Sequence, residues 1–411
     1  MAHPPMQPLE LLEWEELSLK ENPIDESSVK KLLSLADRHK QRLKSAEQVL
    51  TKTTTPGLKA GPVVGFLSVP GVSIEILPKI SGETYDVRQA LVHMIATAFQ
   101  LPISTSDLAA MSAQHRDLLE ILIGVFANRL REASRRGLPH RYRQREEDLP
   151  LLRGKLNSSR QMLLHVTRAD RLACQFDELS VDTPLNRVLK ATVKLLQNLV
   201  RRSSNERLLN ELSARFDLVS DSFRPLQEPV RLDRTNTLFH HIYQFARLFL
   251  TGNWQNTTAG SMPGIALLFK MNDLFELFVG QSIKRAIGAN FVTLQCRSEF
   301  ALQDRREGIF NLRPDIIVNG HIVVDTKWKV LSKEDDRLLG VSQSDVYQML
   351  AYSQAYDATR LVLLYPWHEK LGEPGIHRRW TVSGTDVPFE IASVDVSKYA
   401  DVPHALGELL G

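Results

Sequence analysis

The order of apolar and polar residues divides the chain into strand-like and helix-like stretches, and the clearest strand signal lies in its last third. Ile316-Ile317-Val318 and Ile322-Val323-Val324 are two β-branched runs on either side of Asn319-Gly320, a dipeptide that favours a tight hairpin turn. Both runs are apolar at every position, which predicts strands covered on both faces. Further strands are expected at residues 360–365 and 389–394. Between the hairpin and these strands, Ser344-Asp345 reads as the capped start of a helix on which Gln348 and Tyr352, four apart, share a face. Upstream, residues 266–288 carry apolar side chains at 268, 271, 275, 278 and 279, a helical spacing with Glu276 in its midst.

Earlier in the chain, residues 28–48 predict a helix, broken at Thr53-Thr54-Thr55-Pro56-Gly57. Strands at 63–69 and 72–77 flank Pro70-Gly71. Helical patterns follow at 86–99 and 108–136, with Gly137 and Pro139 as a stop signal. Residues 161–260 read as mostly helical: Thr183-Pro184 caps one helix, and residues 238–250 form another. Adjacent His240 and His241 diverge on a helix, so they are ordinary histidines rather than a metal pair. The expected fold class is α/β, α+β in overall arrangement. It divides into a mixed N-terminal domain (1–165), a helical connecting region (166–262) and a C-terminal domain (263–411) with a central mixed sheet flanked by helices.

Charge changes this picture at one place. Arg313, Asp315, Asp325 and Lys327 stand at the far end of the hairpin, on strands that otherwise bury Ile and Val. A two-residue Asn319-Gly320 turn would pair Asp315 with Val324 and send the two aspartates to opposite faces. A three-residue loop including His321 pairs Val318 with Ile322 and Asp315 with Asp325, gathering all four charges on one face. Shared chemistry therefore demands the odd loop, although the dipeptide alone favours the even one.

Two such carboxylates suit a hard divalent cation, Mg²⁺ or Mn²⁺, with the Thr326 carbonyl as a third oxygen and Glu276 as a further ligand. The cation would activate water and stabilise charge on a phosphodiester, and Lys327 would position the water or the phosphate. Arg313, Gln348 and Tyr352 would support the site and face DNA; against this, Gln348 and Tyr352 read equally as helix packing, and Glu276 as an exposed or ion-paired helix residue.

The chain of 411 residues is 43% hydrophobic and 24% charged, the composition of a globular protein. It has no apolar run of about 18 residues and no signal-peptide layout at its start, so no membrane association and a cytoplasmic location are expected. Only Cys174 and Cys296 occur, which fits a reducing compartment and excludes a cysteine-based zinc finger. The net charge of +3 permits local basic patches. Residues 128–160 form one, which meets phosphate or an acidic partner, or is a solvated face. No phosphate-cradling GxxxxGK[ST] loop is present, so any nucleotide-driven motor must be another chain.

Pro314-Asp315 followed by Asp325-Thr326-Lys327 resembles the PD-(D/E)xK nucleases, and Gln348 with Tyr352 resembles the QxxxY element of their RecB-like branch. A wider order of segments is also distinctive. It runs through Ile74–Ile80, Arg153-Gly154-Lys155, Phe176–Leu179, Asp182–Lys190 and Met271–Glu276, then Arg313-Pro314-Asp315 with Asp325–Lys329. This order resembles the McrC family, the nuclease subunits of modified-cytosine-dependent restriction systems, from about residue 60 onward.

The resemblance implies a restriction-endonuclease-like C-terminal domain, an elongated N-terminal finger over residues 1–165, and a ring-forming McrB-like AAA+ GTPase hexamer as partner. It implies cleavage of double-stranded DNA by Asp315, Asp325 and Lys327 with Mg²⁺, with GTP acting only through the partner. Two rivals remain: a non-catalytic AAA+ activator or scaffold, and a RecB-like exonuclease module for DNA repair.

Overall fold

The computed structural model describes residues 8–22, 24–43, 47–54, 56–69, 71–80, 84–101, 118–253, 265–304, 307–331 and 338–411. The first strands are β1 (Leu9–Leu12), β2 (Glu16–Ser18), β3 (Leu50–Lys52), β4 (Gly57–Ala60), β5 (Val63–Val69) and β6 (Val72–Leu77). The middle of the chain contributes β7 (Arg141–Leu149), β8 (Lys155–Leu156), β9 (Leu172–Ser180) and β10 (Ile265–Lys270). The last are β11 (Val292–Leu294), β12 (Glu299–Asp304), β13 (Glu307–Leu312), β14 (Ile316–Val318), β15 (Ile322–Thr326), β16 (Arg360–Pro366), β17 (Gly375–Thr381) and β18 (Pro388–Val394). Helices α1 (Glu26–Leu43), α2 (Thr84–Ala98), α3 (Leu118–Ser134), α4 (Ser158–Thr167) and α5 (Pro184–Gln197) precede α6 (Ser203–Arg215), α7 (His240–Asn253), α8 (Met271–Ile287), α9 (Gln343–Ala355) and α10 (Val402–Leu410). The first part of the helix expected at 108–136, residues 108–117, lies outside the described residues. No helix among them is long and apolar enough to cross a membrane.

Two compact units result, residues 1–122 with 252–411, and residues 123–251. The three-part division at 165 and 262 read from the sequence has no such joining of the two chain ends, which β10 brings about. Residues 266–270 are not the start of a helix, as their spacing suggested. They form a buried strand antiparallel to β5, with Leu268 opposite Gly65. A short run such as Ile265-Ala266-Leu267-Leu268-Phe269 satisfies either period, and only tertiary pairing decides. The strand after the helical region thus completes the sheet β1-β6-β5-β10 begun near the N-terminus. α1 contributes Val29, Leu32 and Ala36 to a core shared with Ile74, Ile76 and Leu268.

A six-stranded mixed sheet in the same unit carries the charged residues of interest. Its order is β11-β14-β15-β16-β18-β17. β15, β16 and β18 run parallel, and α9 makes the crossover from β15 to β16 that parallel pairing requires. Val323, Leu361, Leu363 and Ile391 of the sheet share a core with Met349 and Tyr352 of α9. Strands at 360–366 and 388–394 match those expected at 360–365 and 389–394. The α9 cap is Ser342, whose hydroxyl accepts from the Asp345 amide, two residues earlier than the Ser344 start read from sequence.

In the second unit, α5 is capped by Thr183 with Pro184 in its first turn, as expected, and α3 and α7 join through Phe126, Phe245 and Phe249. The expectation of a mostly helical stretch over 161–260 is corrected by β9. This nine-residue strand pairs along its whole length with β7. Its apolar positions are too few to announce a strand, and cross-strand charge pairs such as Arg145–Glu178 (2.6 Å) supply part of the match. Within the basic interval 128–160, Arg141 pairs with Asp233 at 2.6 Å, Arg160 with Asp148 at 3.0 Å and Arg129 with Glu132 at 3.2 Å, so part of its charge is balanced inside the chain.

Candidate active site

The hairpin adopts the odd register. Val318 lies opposite Ile322 and Ile316 opposite Val324, and the His321 amide donates to Val318 O at 3.2 Å. Asn319 and Gly320 both take positive φ (52° and 80°) to turn the chain, a demand that Asn and Gly meet at low cost. One step beyond Ile316–Val324, Asp315 therefore faces Asp325.

Hydrogen bonds lock this end of the hairpin. Asp315 Oδ2 accepts from the Thr326 amide (2.7 Å) and hydroxyl (2.8 Å), while the Asp315 carbonyl accepts from the Gln295 amide (2.8 Å). Asp325 is 1% exposed and ion-paired with Lys327 Nζ. Lys327 also donates to Gln348 Oε1 at 3.2 Å. Gln348 Nε2 donates to the Tyr352 hydroxyl (2.7 Å), which donates onward to Arg313 O (2.8 Å). Tyr352 is buried, so it and Gln348 brace the lysine and the strand entry; Arg313 remains exposed.

Burial, then the Asp315 charge, raises the Asp325 carboxyl, with Lys327 opposing; burial also raises Asp315, against its Thr326 bonds. Burial pulls the Lys327 ammonium down, but Asp325 and Asp315 outweigh it and its pKa is raised. Glu276, half-buried on α8, accepts from Gln295 Nε2 at 2.7 Å and is pushed up to about 7, by burial first and the Asp315 charge second.

Asp345 and Lys329 belong to the same charged group, though the sequence singled out neither. Asp345 is buried, pairs with Lys329 Nζ at 3.2 Å and raises the Asp325 carboxyl further. In sequence Asp345 is simply an acid in the first turn of a helix, and its address at the site comes only from the β15–α9–β16 crossover.

Two features bear on a divalent cation. Asp325 Oδ1 is buried with no hydrogen-bond donor among the described residues, an arrangement that costs free energy unless something positive meets it. Against that, no trio of His, Cys, Asp or Glu among the described residues is gathered tightly enough to hold an ion, so Glu276 does not complete a three-acid set with Asp315 and Asp325.

Comparison with known proteins gives the family of the chain. A family model described as McrBC 5-methylcytosine restriction system component matches residues 58–366, most of the chain. The chain belongs to the McrBC family. Among solved structures, it is similar to McrC in a refined half-complex from the tetradecameric assembly of Thermococcus gammatolerans McrB AAA+ hexamers with bound McrC. That match has 21% identity and a TM-score of 0.72, over 98% of this chain and 100% of the other. A cryo-EM structure of the Thermococcus gammatolerans McrBC complex gives 25% identity and a TM-score of 0.57, over 68% of this chain and 88% of the other. No curated protein matches the chain. The McrBC assignment rests on the family model, and the half-complex likeness extends the shared fold over nearly the whole chain.

Proposed function

We propose that this McrBC family member is the nuclease subunit of a modification-dependent restriction system, a Mg²⁺-dependent DNA endonuclease that works docked on an AAA+ GTPase hexamer and stimulates its GTP hydrolysis. The observation that carries this reading is the odd hairpin register, which sets Asp315, Asp325 and Lys327 together at one end of a mixed sheet. The order α8, β14, β15, α9, β16 around that site is the arrangement expected of a PD-(D/E)xK domain.

Asp315 and Asp325 would hold the cation, which would supply Lewis acidity to a phosphodiester and lower the pKa of a water. Asp325 Oδ1, buried and undonated, is the atom best suited to that role. Thr326 aims the Asp315 carboxylate through two bonds, leaving its other oxygen without a share in them. Lys327 balances the paired acids and, once drawn from Asp325, offers its ammonium to a scissile phosphate or to the attacking water. Gln348 and Tyr352 fix the lysine's reach.

The McrB-bound solved structures support an AAA+ ring as partner. The sequence resemblance assigned docking to residues 1–165. Within and just past that range, Leu151, Leu152, Met162, Leu163 and Val166 are 58–85% exposed on and before α4. Such an apolar patch is costly in water and suits a protein partner.

The test is cleavage of methylated plasmid with GTP, Mg²⁺ and the AAA+ partner. Wild type is expected to cut closed circles, and Asp325→Ala to lose cutting while retaining GTPase stimulation. A second reading, a non-catalytic activator, draws on the missing three-acid set; stimulation without cutting by either protein would establish it. Digestion confined to linear DNA would instead favour an exonuclease.

A further inference from the structure

Glu13 is a buried acid at the other end of the chain. It directly follows β1, is 2% exposed, and extends the β1–β6 alignment through its amide bond to Leu77 O (2.9 Å). Its Oε1 accepts two donors, the Lys79 amide at 2.9 Å and the Trp328 indole Nε1 at 2.6 Å. Its Oε2 is buried with no hydrogen-bond donor among the described residues. Burial raises its pKa despite those bonds and the nearby Lys79 charge. A hydrophobic side chain in this place would avoid the cost of desolvating a carboxylate, a cost that Glu13 offsets in part through the two hydrogen bonds it accepts.

That geometry falls on the residue after the site lysine. Trp328 is held from three directions. Glu13 takes its indole N–H, Asn272 Oδ1 of α8 accepts its amide at 3.2 Å, and Phe275 of α8 meets its ring edge-on at 5.2 Å between centroids. Asn272 and Phe275 are on the helix that carries Glu276. The Lys327 amide, one residue back, continues the β15 pairing onto Leu364 O at 2.9 Å. Trp328 therefore pins the segment just past β15 against α8 and the residue that follows β1, and Lys327 leaves the strand where its backbone is fixed.

Given the nuclease reading above, we infer that Glu13 is a positioning residue for the site: through Trp328 it fixes the backbone from which Lys327 reaches Asp325 and the phosphate. The N-terminal strand is thereby part of the catalytic frame, although it lies more than three hundred residues from the aspartates in sequence. Glu13→Gln keeps an oxygen able to accept from both donors, Glu13→Ala removes it, and Trp328→Phe removes the donor while keeping a ring against Phe275.

The experiment uses the full chain with its AAA+ partner, Mg²⁺, GTP and methylated plasmid, together with amide hydrogen exchange on the chain alone. Glu13→Ala is expected to lower the cleavage kcat about tenfold while leaving DNA affinity and GTPase stimulation within about twofold, the signature of misplacement without loss of binding. Glu13→Gln stays near wild type, and the Glu13→Ala/Trp328→Phe double variant cuts no more slowly than the slower single, because both act through one bond. Exchange rises at the Lys327 and Trp328 amides and is unchanged in β16 and β18. Unchanged exchange at those two amides overturns the inference, whether or not the protein cuts DNA. So does a wild-type kcat in Glu13→Ala, a multiplicative double variant, or a general rise in exchange accompanied by lost GTPase stimulation. If Asp325→Ala itself cut like wild type, the nuclease reading would fall, while the exchange data would still decide the Glu13 contact.

Discussion

Asp315 and Thr326 stand at the open end of the hairpin, and one oxygen of the aspartate takes both the amide and the hydroxyl of the threonine. The bond set ties the entry of β14 to the last residue of β15 and aims the carboxylate. Thr326→Val keeps the shape and removes the hydroxyl. The variant is expected to lose about 1.5–3 kcal/mol in urea unfolding, as for a hydrogen bond to a charged group, and to cut DNA several-fold more slowly. Thr326→Ser retains the donor and should stay near wild type in both measurements. Loss in Thr326→Ser with none in Thr326→Val would show that the methyl packing, not the hydroxyl, matters.

Glu276 gives a pH dependence of defined sign. Its folded-state pKa of about 7 lies above the ordinary 4.5, so between those values the native chain binds the proton more tightly than the unfolded one. Its contribution to stability is therefore full below about pH 4.5 and is lost as pH rises to about 7. Glu276→Gln, which can still accept from Gln295, removes that loss. Measured by urea unfolding in chelator, the variant should match wild type near pH 4.5 and exceed it at pH 8. Parallel curves across the range would sink the assignment.

What the sequence disclosed, and what it withheld, follows from the range of the interactions involved. The hairpin, its odd register and the grouping of Asp315, Asp325 and Lys327 were legible because all depend on neighbours within about a dozen residues. The chemistry even overruled the turn propensity of Asn319-Gly320 correctly. The strand Ile265–Lys270 was read as helix because its partner, β5, lies two hundred residues earlier. Asp345 and Glu13 were invisible for the same reason: nothing local marks an acid whose role is set by a crossover or by an indole from the far end of the chain. Gln348 and Tyr352 were found by pattern, but their bonds to Lys327 and Arg313 O, which make them braces, required coordinates.

Gly320 separates stability from function. A Cβ there would meet no atom within 4 Å, so the cost of Gly320→Ala is conformational alone, set by its φ of 80°. An expected destabilisation of about 1 kcal/mol should appear in thermal unfolding with cleavage at saturating Mg²⁺ unchanged. Loss of cleavage with little loss of stability would mean that the loop itself contacts DNA.

The exposed apolar face of α4 should weaken partner docking when charged. Leu163 is 77% exposed, so Leu163→Glu is expected to change unfolding stability by less than about 0.5 kcal/mol. If the face meets the AAA+ ring, the association constant and the GTPase stimulation should both fall about tenfold or more, read by titrating the chain into a fixed amount of partner. Unchanged stimulation would move docking elsewhere on the chain.

Lys327 is the counter-charge for two buried acids, and its removal exposes what the site is built to hold. In Lys327→Met the Asp325 and Asp315 carboxylates lose their nearest cation, so at pH 8 in chelator the fold should weaken by about 2–3 kcal/mol, less than a fully unpaired buried charge because protonation offers partial relief. A divalent ion would replace that lost charge. Added Mg²⁺ is therefore expected to raise the Tm of Lys327→Met by more than that of wild type, while Asp325→Asn, with one ligand oxygen gone, gains little. Cleavage should be lost in both variants, since the cation alone cannot do the lysine's part. If Mg²⁺ and Mn²⁺ shift none of the three melting curves, the paired aspartates do not bind a cation, and their burial must be explained by the ion pair alone.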